Sequence, residues 1–209
     1  MRTRIKICGI TRDEDGVAAA ELGADAIGLV FHQGSRRYVD VAEARRIVEA
    51  LPPLVTAVGL FLDADESLVS DVIAGVPLDL LQFHGNESAA FCERFGYRYL
   101  KAVGMAGGDP RATAEAHPRA SGLLLDGHPP GAAGGSGESF DWGRELPDSH
   151  RIIVAGGLRA DNVAEAIRST TPWGVDCSSG VESAPGIKDR RRVAAFIEEV
   201  YRVERHSGH

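Results

Sequence analysis

No stretch of the sequence stays apolar for the roughly 18 residues that a membrane-spanning helix requires. The basic start of the chain, with Arg2 and Arg4 among residues 1–4, leads into an apolar strand that is too short for the core of a signal peptide. We therefore expect a cytoplasmic protein without membrane contacts. Because 44% of the 209 residues are hydrophobic, the chain has enough apolar material for one large core, and we expect a single domain over residues 1–209.

Cysteine is scarce and positive charge is in the minority, and each shortage excludes a class of protein. The three cysteines, Cys8, Cys92 and Cys177, form no CxxC pair and leave an odd thiol, which argues against a disulfide framework and a structural zinc site. We expect reduced thiols. The formal net charge of −7 argues against a general nucleic-acid binder, so the expected partner is a small molecule.

What the sequence does contain is a regular alternation of apolar segments and helix-forming segments. The apolar segments predict strands at residues 5–8, 26–30, 56–62, 78–83, 99–103, 122–126, 151–155 and 175–177. Strict alternation indicates a parallel sheet with helices outside it, and about 26 residues per unit suffice for a compact barrel. We therefore predict the α/β class and a (β/α)8 TIM barrel of parallel strands. The alternative is a doubly wound open sheet, against which stands the absence of a GxGxxG turn after the first strand.

Local signals predict several helix ends and one long loop. Residues 11–14 have the form of a capping box, so we expect Thr11 to cap the first helix. Asp40 is expected to cap the second helix. Residues 140–142 predict the start of a short helix, whereas the Gly/Pro/Ser-rich stretch at 128–139 predicts a loop that is either floppy or functional.

In a parallel barrel the carboxyl ends of all strands meet at one mouth, where such folds carry out their chemistry. The loops after the seventh and eighth predicted strands, residues 155–158 and 176–182, are rich in glycine and serine. Their backbone N–H groups could point at phosphate oxygens, although two tight turns that merely need glycine are the alternative. Two such loops in succession favour phosphate, and we assign substrate binding to Gly156, Gly157, Asp176, Ser178, Ser179 and Gly180.

Cys8 and Asp126 are the candidate catalytic groups at this mouth. A reacting thiol needs some thiolate at neutral pH, which Lys6 or the phosphate loops could favour; the alternative is a buried inert cysteine. A carboxylate directly after an apolar strand is costly to bury unless it is paired or used. Asp126 is therefore either an acid-base group or a capping or ion-pairing residue.

Arg37, Gln82 and His84 complete the predicted substrate site. Arg37 could bind a carboxylate through two hydrogen bonds, although a loop arginine is more often solvated. His84 could be a ligand or a base, or its ring could be satisfied by neighbouring backbone. A metal site would have to combine His32, His84, Asp126 and Asp176; cysteine is an unusual neighbour for a hard cation, and we predict no metal.

Several short motifs follow one another from the first strand to the last helix. They are KICGIT at 6–11, FHQGSRRY at 31–38, QFHG at 82–85, LLD at 124–126, GGSG at 134–137, FDW at 140–142, GGL at 156–158 and DCSSGVE at 176–182. In this order they resemble the phosphoribosylanthranilate isomerase family of tryptophan biosynthesis. The resemblance implies a (β/α)8 barrel without cofactor that performs an Amadori rearrangement of a phosphosugar, N-(5-phosphoribosyl)anthranilate.

The resemblance also implies a role for each part of the mouth. Cys8 is implied as the general base and Asp126 as the general acid. Arg37 is implied to pair with the carboxylate of the substrate, and the glycine-rich loop after Asp126 resembles a lid. The backbone groups implied to hold the phosphate are those of Gly157, Ser179 and Gly180.

Two positions depart from the family pattern, and neither belongs to the catalytic pair. Glu138 stands where many relatives have a basic residue, and Cys177 replaces a commoner aliphatic residue. Two other functions remain open at this point: a metal-dependent phosphosugar epimerase and a phosphate-ligand sensor that has lost the reaction. The sequence also leaves open whether the protein is a monomer or a homodimer, and whether it accepts a related aminoaldose of histidine biosynthesis.

Overall fold

The computed structural model describes residues 2–131 and 139–207, and in this part of the chain eight parallel strands close a barrel. The strands are β1 Arg4–Cys8, β2 Ala26–Val30, β3 Thr56–Phe61, β4 Leu80–Phe83, β5 Tyr99–Gly104, β6 Gly122–Asp126, β7 Ile152–Val154 and β8 Gly174–Cys177. They lie in chain order, and β1 pairs with both β2 and β8. This closure confirms the predicted barrel and excludes the open sheet.

Helices follow the strands on the outside of the barrel. They are α1 Asp13–Leu22, α2 Val41–Ala50, α3 Glu66–Gly75, α4 Ala89–Glu93, α5 Pro110–Ala116, α6 Val163–Thr170 and α7 Arg190–Ser207. The helix predicted to begin at residues 140–142 is wrong. The Asp141 carboxylate accepts a hydrogen bond from the backbone N–H of Gly143 at 2.9 Å, which makes a turn there. None of the helices in the described part of the chain has the length and apolar character needed to cross a membrane.

The two predicted helix caps have different outcomes. Asp40 forms a capping box with Glu43: the Asp40 side chain accepts from the Glu43 N–H at 2.8 Å, and Glu43 accepts from the Asp40 N–H at 3.0 Å. The predicted box at Thr11 is wrong, because the Thr11 hydroxyl donates instead to the carbonyl of Gly186 at 2.5 Å. Thr11 thus ties the exit of β1 to the far end of the chain.

A small hairpin after β8 was not predicted. A 3-10 turn at Ser179–Val181 leads into β9, Glu182–Ala184, which pairs antiparallel with β10, Ile187–Lys188. The hairpin lies against the loop after β1 through the Thr11 contact with Gly186. It brings Glu182 and Lys188 to the mouth of the barrel.

Alternation along β1 separates two buried environments. Ile5 and Ile7 belong to the large apolar cluster between the strands and the helices. Lys6 and Cys8 alternate with them and face the barrel interior. There, the Lys6 Nζ lies 2.9 Å from the Oδ1 of Asp176 on β8, and both side chains are buried. Lys6 and Asp176 each need the other as a partner, because a buried charge without a partner raises the free energy of the folded state.

Candidate active site

One pocket lies at the carboxyl ends of the strands. It contains about 710 Å³ of empty space when the open solvent at its mouth is included. Its lining includes all but one of the predicted site residues, namely Cys8, Arg37, Gln82, His84, Asp126, Gly156, Gly157, Asp176, Ser178 and Ser179. The exception is Gly180, whose backbone packs so closely on the Leu158 carbonyl that a side chain would collide with it. Gly180 therefore joins the loops after β7 and β8.

Cys8 ends β1 and is 6% exposed at the base of the pocket. Burial raises the pKa of its thiol, and the nearby positive charges of Lys6 and Lys188 oppose that rise without cancelling it. Burial also disfavours a charged Lys6, but the negative charge of Asp176, and that of Cys8 when its thiol is ionised, outweigh it, so the pKa of Lys6 is raised. The site therefore combines a thiol that is mostly protonated at neutral pH with a permanent ammonium group.

Asp126 ends β6 and is 7% exposed. Its Oδ1 is buried and has no hydrogen-bond partner among the residues that the structure describes. Burial raises the pKa of this carboxyl, helped by the charge of Asp176, and the proximity of His128 together with two backbone N–H groups only partly reverses the rise. A carboxyl group with a raised pKa and an unpaired oxygen in a pocket is suited to donate a proton.

Beside Asp126, the side chains of Gln82, His84 and His128 form a chain of hydrogen bonds. The Gln82 amide lies 3.2 Å from His84 Nδ1, and the Nε2 atoms of the two imidazoles are 2.6 Å apart. Burial, and then the proximity of His128, Lys6 and Lys101, lowers the pKa of His84 to about 3, so its ring is neutral. His84 is thus satisfied by side chains, and not by backbone as the alternative interpretation expected.

Sequence reasoning missed His128, which it placed only within a glycine-rich loop. The ligand set considered for a metal also needs correction. In the described residues, the side chains that bring three possible ligand atoms together are His84, Asp126 and His128, and not His32 or Asp176. The only available signal was that His128 follows the end of β6 by two residues.

Arg37 forms a bidentate pair within the protein. Its Nε and one terminal nitrogen each lie 2.8 Å from a carboxylate oxygen of Glu182 on β9. Lys188 on β10 also binds Glu182, at 2.8 Å. Burial alone would raise the pKa of Glu182, but these two cations lower it. The pair fixes the guanidinium at the wall of the pocket, and sequence reasoning missed Glu182 because β9 and β10 were not predicted.

The loop after β7 has the backbone conformation that its glycines allow. Gly156 and Gly157 have φ values of 80° and 63°, which other residues adopt only with strain. The Asn162 amide donates to the Gly157 carbonyl at 3.0 Å and so holds the loop in place. Ser178 and Ser179 face the same pocket from the loop after β8. The loops after β7 and β8 therefore line one pocket.

The comparisons with known proteins decide the family. A family model described as N-(5'phosphoribosyl)anthranilate (PRA) isomerase matches residues 5–199. The chain belongs to this family. It is 55% identical over 203 residues to the N-(5'-phosphoribosyl)anthranilate isomerase of Halorhodospira halophila, a match that covers 97% of this chain and 98% of that protein. The isomerase resemblance and the barrel are thereby confirmed.

Two solved structures of the isomerase family show the same fold. A phosphoribosyl anthranilate isomerase in complex with reduced 1-(o-carboxyphenylamino)-1-deoxyribulose 5-phosphate has a TM-score of 0.82 and 38% identity, covering 95% of this chain and 98% of that one. The second structure shows monomers of the dimeric phosphoribosylanthranilate isomerase of Thermotoga maritima. It has a TM-score of 0.83 and 36% identity, with the same coverage of both chains. The ligand of the first structure carries a phosphate at one end and a carboxyphenyl group at the other.

The sequence departs from the isomerase family pattern at Cys177 and Glu138, and the structure describes only the first of these residues. Cys177 is buried on β8, and its Sγ lies 3.1 Å from the Leu158 carbonyl. Burial, with the charge of Asp176, raises the pKa of this thiol to about 12, so Cys177 is inert. Glu138 and the glycines at 134–137 of the predicted lid lie outside the described residues.

Proposed function

We propose that the protein converts N-(5'-phosphoribosyl)anthranilate to 1-(2-carboxyphenylamino)-1-deoxyribulose 5-phosphate in tryptophan biosynthesis, with Cys8 and Asp126 as its catalytic pair. The observation that supports this most directly is that both residues line one pocket, Cys8 at the end of β1 and Asp126 at the end of β6. The reaction moves protons: one is given to the ring oxygen and one is removed from carbon 2. A positioned acid and base suffice for this, and no cofactor or metal is required.

Asp126 acts first, as the general acid. Its raised pKa keeps a fraction of the carboxyl protonated towards neutral pH, and its Oδ1 has no hydrogen-bond partner among the described residues. Asp126 gives its proton to the furanose ring oxygen, the bond from this oxygen to carbon 1 breaks, and the electron pair of the bond stays on the oxygen. The lone pair of the anilino nitrogen then forms a double bond to carbon 1, which gives an open-chain iminium ion.

Cys8 acts second, as the general base. Its thiolate removes the proton from carbon 2, and the electrons of that C–H bond form a double bond to carbon 1 and neutralise the iminium. The resulting enolamine tautomerises to the ketone. Because burial holds the pKa of Cys8 up, only a fraction is thiolate at neutral pH, and the charge of Lys6 enlarges that fraction.

Different groups of the protein bind the two ends of the substrate. Arg37 pairs with the anthranilate carboxylate, while the main-chain groups of Gly157, Ser179 and Gly180 hold the phosphate. Gly156 and Ser178 lie beside them in the same two loops. Gln82, His84 and Asp176 line the pocket between them. Fixing both ends holds carbon 2 near the thiol and the ring oxygen near Asp126, and such positioning is a major part of catalysis.

We further infer that the enzyme works in the cytoplasm as one domain over residues 1–209, as a monomer or a homodimer. It acts on a small phosphosugar and binds neither nucleic acid nor membrane. Light scattering on the purified protein distinguishes the two oligomeric states.

The decisive assay follows the fluorescence of the authentic substrate. Purified protein should abolish this fluorescence as the product forms, and treatment with a chelator should leave the rate unchanged. A constant signal would contradict the proposed reaction. A rate that survives the chelator would eliminate the metal-dependent epimerase, and binding of substrate without turnover would support the sensor.

A further inference from the structure

Three buried side chains at the ends of β4 and β6 point ligand atoms at one another. One atom each from His84, Asp126 and His128 lies within 4.8 Å of the others. The two Nε2 atoms are 2.6 Å apart, and each lies 3.9 Å from the Oδ2 of Asp126. The ring centroids are 4.6 Å apart, farther than the nitrogens, so the nitrogen edges of both rings face inward.

His128 has the tautomer that a metal ligand needs. Its Nδ1 lies 2.6 Å from the carbonyl of Pro129, which can only accept a hydrogen bond. A neutral His128 therefore carries its proton on Nδ1 and its lone pair on Nε2, the atom that faces the cluster. Histidines that bind metals commonly donate their other nitrogen to a carbonyl or a carboxylate in this way.

His84 can reach the same tautomer without a large rearrangement. Its Nδ1 is next to the Gln82 amide, whose Oε1 is buried and has no partner among the described residues. A half-turn of this amide would let Oε1 accept a proton from Nδ1, which frees the lone pair of Nε2. The same rotation would satisfy the unpaired oxygen of Gln82.

We propose that His84, Asp126 and His128 bind one divalent ion of the zinc class, and that this ion inhibits turnover by occupying the Asp126 carboxylate. Zinc bonds of about 2.0–2.1 Å at tetrahedral angles place ligand atoms about 3.3 Å apart. The observed separations of 2.6 and 3.9 Å lie on either side of this value, so small side-chain rotations suffice. Imidazole and carboxylate together favour zinc, cobalt, nickel or copper over magnesium.

The two parts of this proposal depend on different premises. Binding rests only on the geometry of the three side chains, and inhibition also rests on the proposed role of Asp126 as the acid. On binding, the hydrogen bond between the two imidazoles is lost, and any proton on Asp126 is released to solvent.

Binding is tested by titrating substrate-free protein with zinc in a calorimeter. One ion should bind per chain, and His128→Gln and His84→Gln should each weaken binding at least about tenfold. His32→Gln is the matched control, because His32 lines the same pocket outside the cluster, and its zinc affinity should equal that of the wild type. Circular dichroism establishes that each variant is folded. Unchanged zinc affinity in folded His128→Gln would overturn the proposal.

Cobalt gives a second test that needs no variant. Cobalt bound at this site should show visible d–d bands of nitrogen and oxygen ligands. A sulfur-to-cobalt charge-transfer band would overturn the proposal, because it would place the ion on Cys8.

Inhibition is tested in the turnover assay. Zinc should abolish turnover, and the zinc concentration that gives half-inhibition should equal the one that gives half-saturation in the binding curve. A chelator should restore turnover fully. Zinc that binds at the cluster without slowing turnover would overturn the inhibitory part. A protein that binds zinc as predicted but never turns over substrate would contradict the proposed function and leave the binding site supported.

Discussion

Lys6 and Asp176 form an ion pair inside the barrel, with Nζ and Oδ1 2.9 Å apart and both side chains less than a tenth exposed. The pair joins β1 to β8 and holds an ammonium group on the same face of β1 as Cys8. Opposite Cys8 on β2 stands Gly28, where a Cβ would lie 2.7 Å from the Cys8 Sγ and 3.2 Å from the Lys6 Cε. The thiol, the ammonium group and the glycine therefore form one packed unit.

Replacing Lys6 by methionine should raise the pKa of Cys8, because the largest opposing charge is removed. The thiolate fraction at neutral pH falls about tenfold for each unit of that rise. The measurement is the pH dependence of Cys8 alkylation by iodoacetamide, followed by mass spectrometry. An unchanged alkylation profile would show that Lys6 does not act on the thiol.

Lys6→Met should also destabilise the fold, since Asp176 is left buried without its partner. Loss of one member of a buried pair costs about 3–5 kcal/mol in the free energy of unfolding, measured in urea. Arg190→Met is the control, because Arg190 pairs with Glu21 on the exposed surface. That change should cost about 1 kcal/mol or less.

In the pH profile of kcat/KM, the two limbs should be assigned to the two catalytic groups in the reverse of the usual order. Catalysis requires Cys8 as thiolate and Asp126 protonated, yet burial raises the pKa of both groups. The active form then has its largest population between the two pKa values. Below the pKa of Asp126 the thiolate is lost faster than the acid is gained, and above the pKa of Cys8 the acid is lost faster than the thiolate is gained.

The alkaline limb of the profile should therefore report Cys8, and the acid limb Asp126. Lys6→Met should move the alkaline limb to higher pH, because it raises the pKa of Cys8. A shift of the acid limb in this variant, with the alkaline limb fixed, would contradict the assignment.

Gly28→Ala should lower kcat by about tenfold or more. A Cβ at Gly28 approaches the Cys8 Sγ so closely that the thiol must move, and displacement of a catalytic group by about 1 Å can cost about 100-fold. Gly16→Ala in α1 is the control, since a Cβ there meets its neighbours at 3.4 Å or more. Equal turnover in both variants would argue against a catalytic position for Cys8.

Arg37→Lys should raise KM by about 10–100-fold with a smaller effect on kcat. Lysine keeps the charge, but it can neither keep both hydrogen bonds to Glu182 that hold the guanidinium in place nor offer a second planar edge to the substrate carboxylate. Such charge-assisted bonds contribute about 1.5–3 kcal/mol each. Arg36→Lys is the matched control in the same loop, with an exposed side chain. If KM rises equally in both variants, Arg37 has no special contact with the substrate.

The sequence predicted the barrel well because its signals are local. Short apolar runs place β2 and β6 at the bounds found in the structure, Ala26–Val30 and Gly122–Asp126. What it missed depends on contacts between distant residues. The Thr11 hydroxyl binds Gly186, a partner 175 residues away, so a correct local capping pattern gave a wrong prediction.

The same difference between local signals and contacts of distant residues applies to the candidate site. Cys8 and Asp126 could be found at strand ends, where the fold gives them a common mouth. His128 and Glu182 could not be found, since their contacts with His84 and Arg37 arise only when separate loops meet. Gly180 was assigned to the phosphate site for its residue type, whereas its described contact is with the Leu158 carbonyl.

The central claim is that Cys8 and Asp126 carry out the proton transfers. Its most direct test is turnover of the authentic substrate by Cys8→Ala and Asp126→Asn, followed by fluorescence, beside Cys177→Ala as a control on a buried thiol outside the pocket. Each of the first two variants should fold normally and lose at least about 100-fold in kcat, while Cys177→Ala should turn over at nearly the wild-type rate. A near-wild-type rate in either Cys8→Ala or Asp126→Asn would contradict the account.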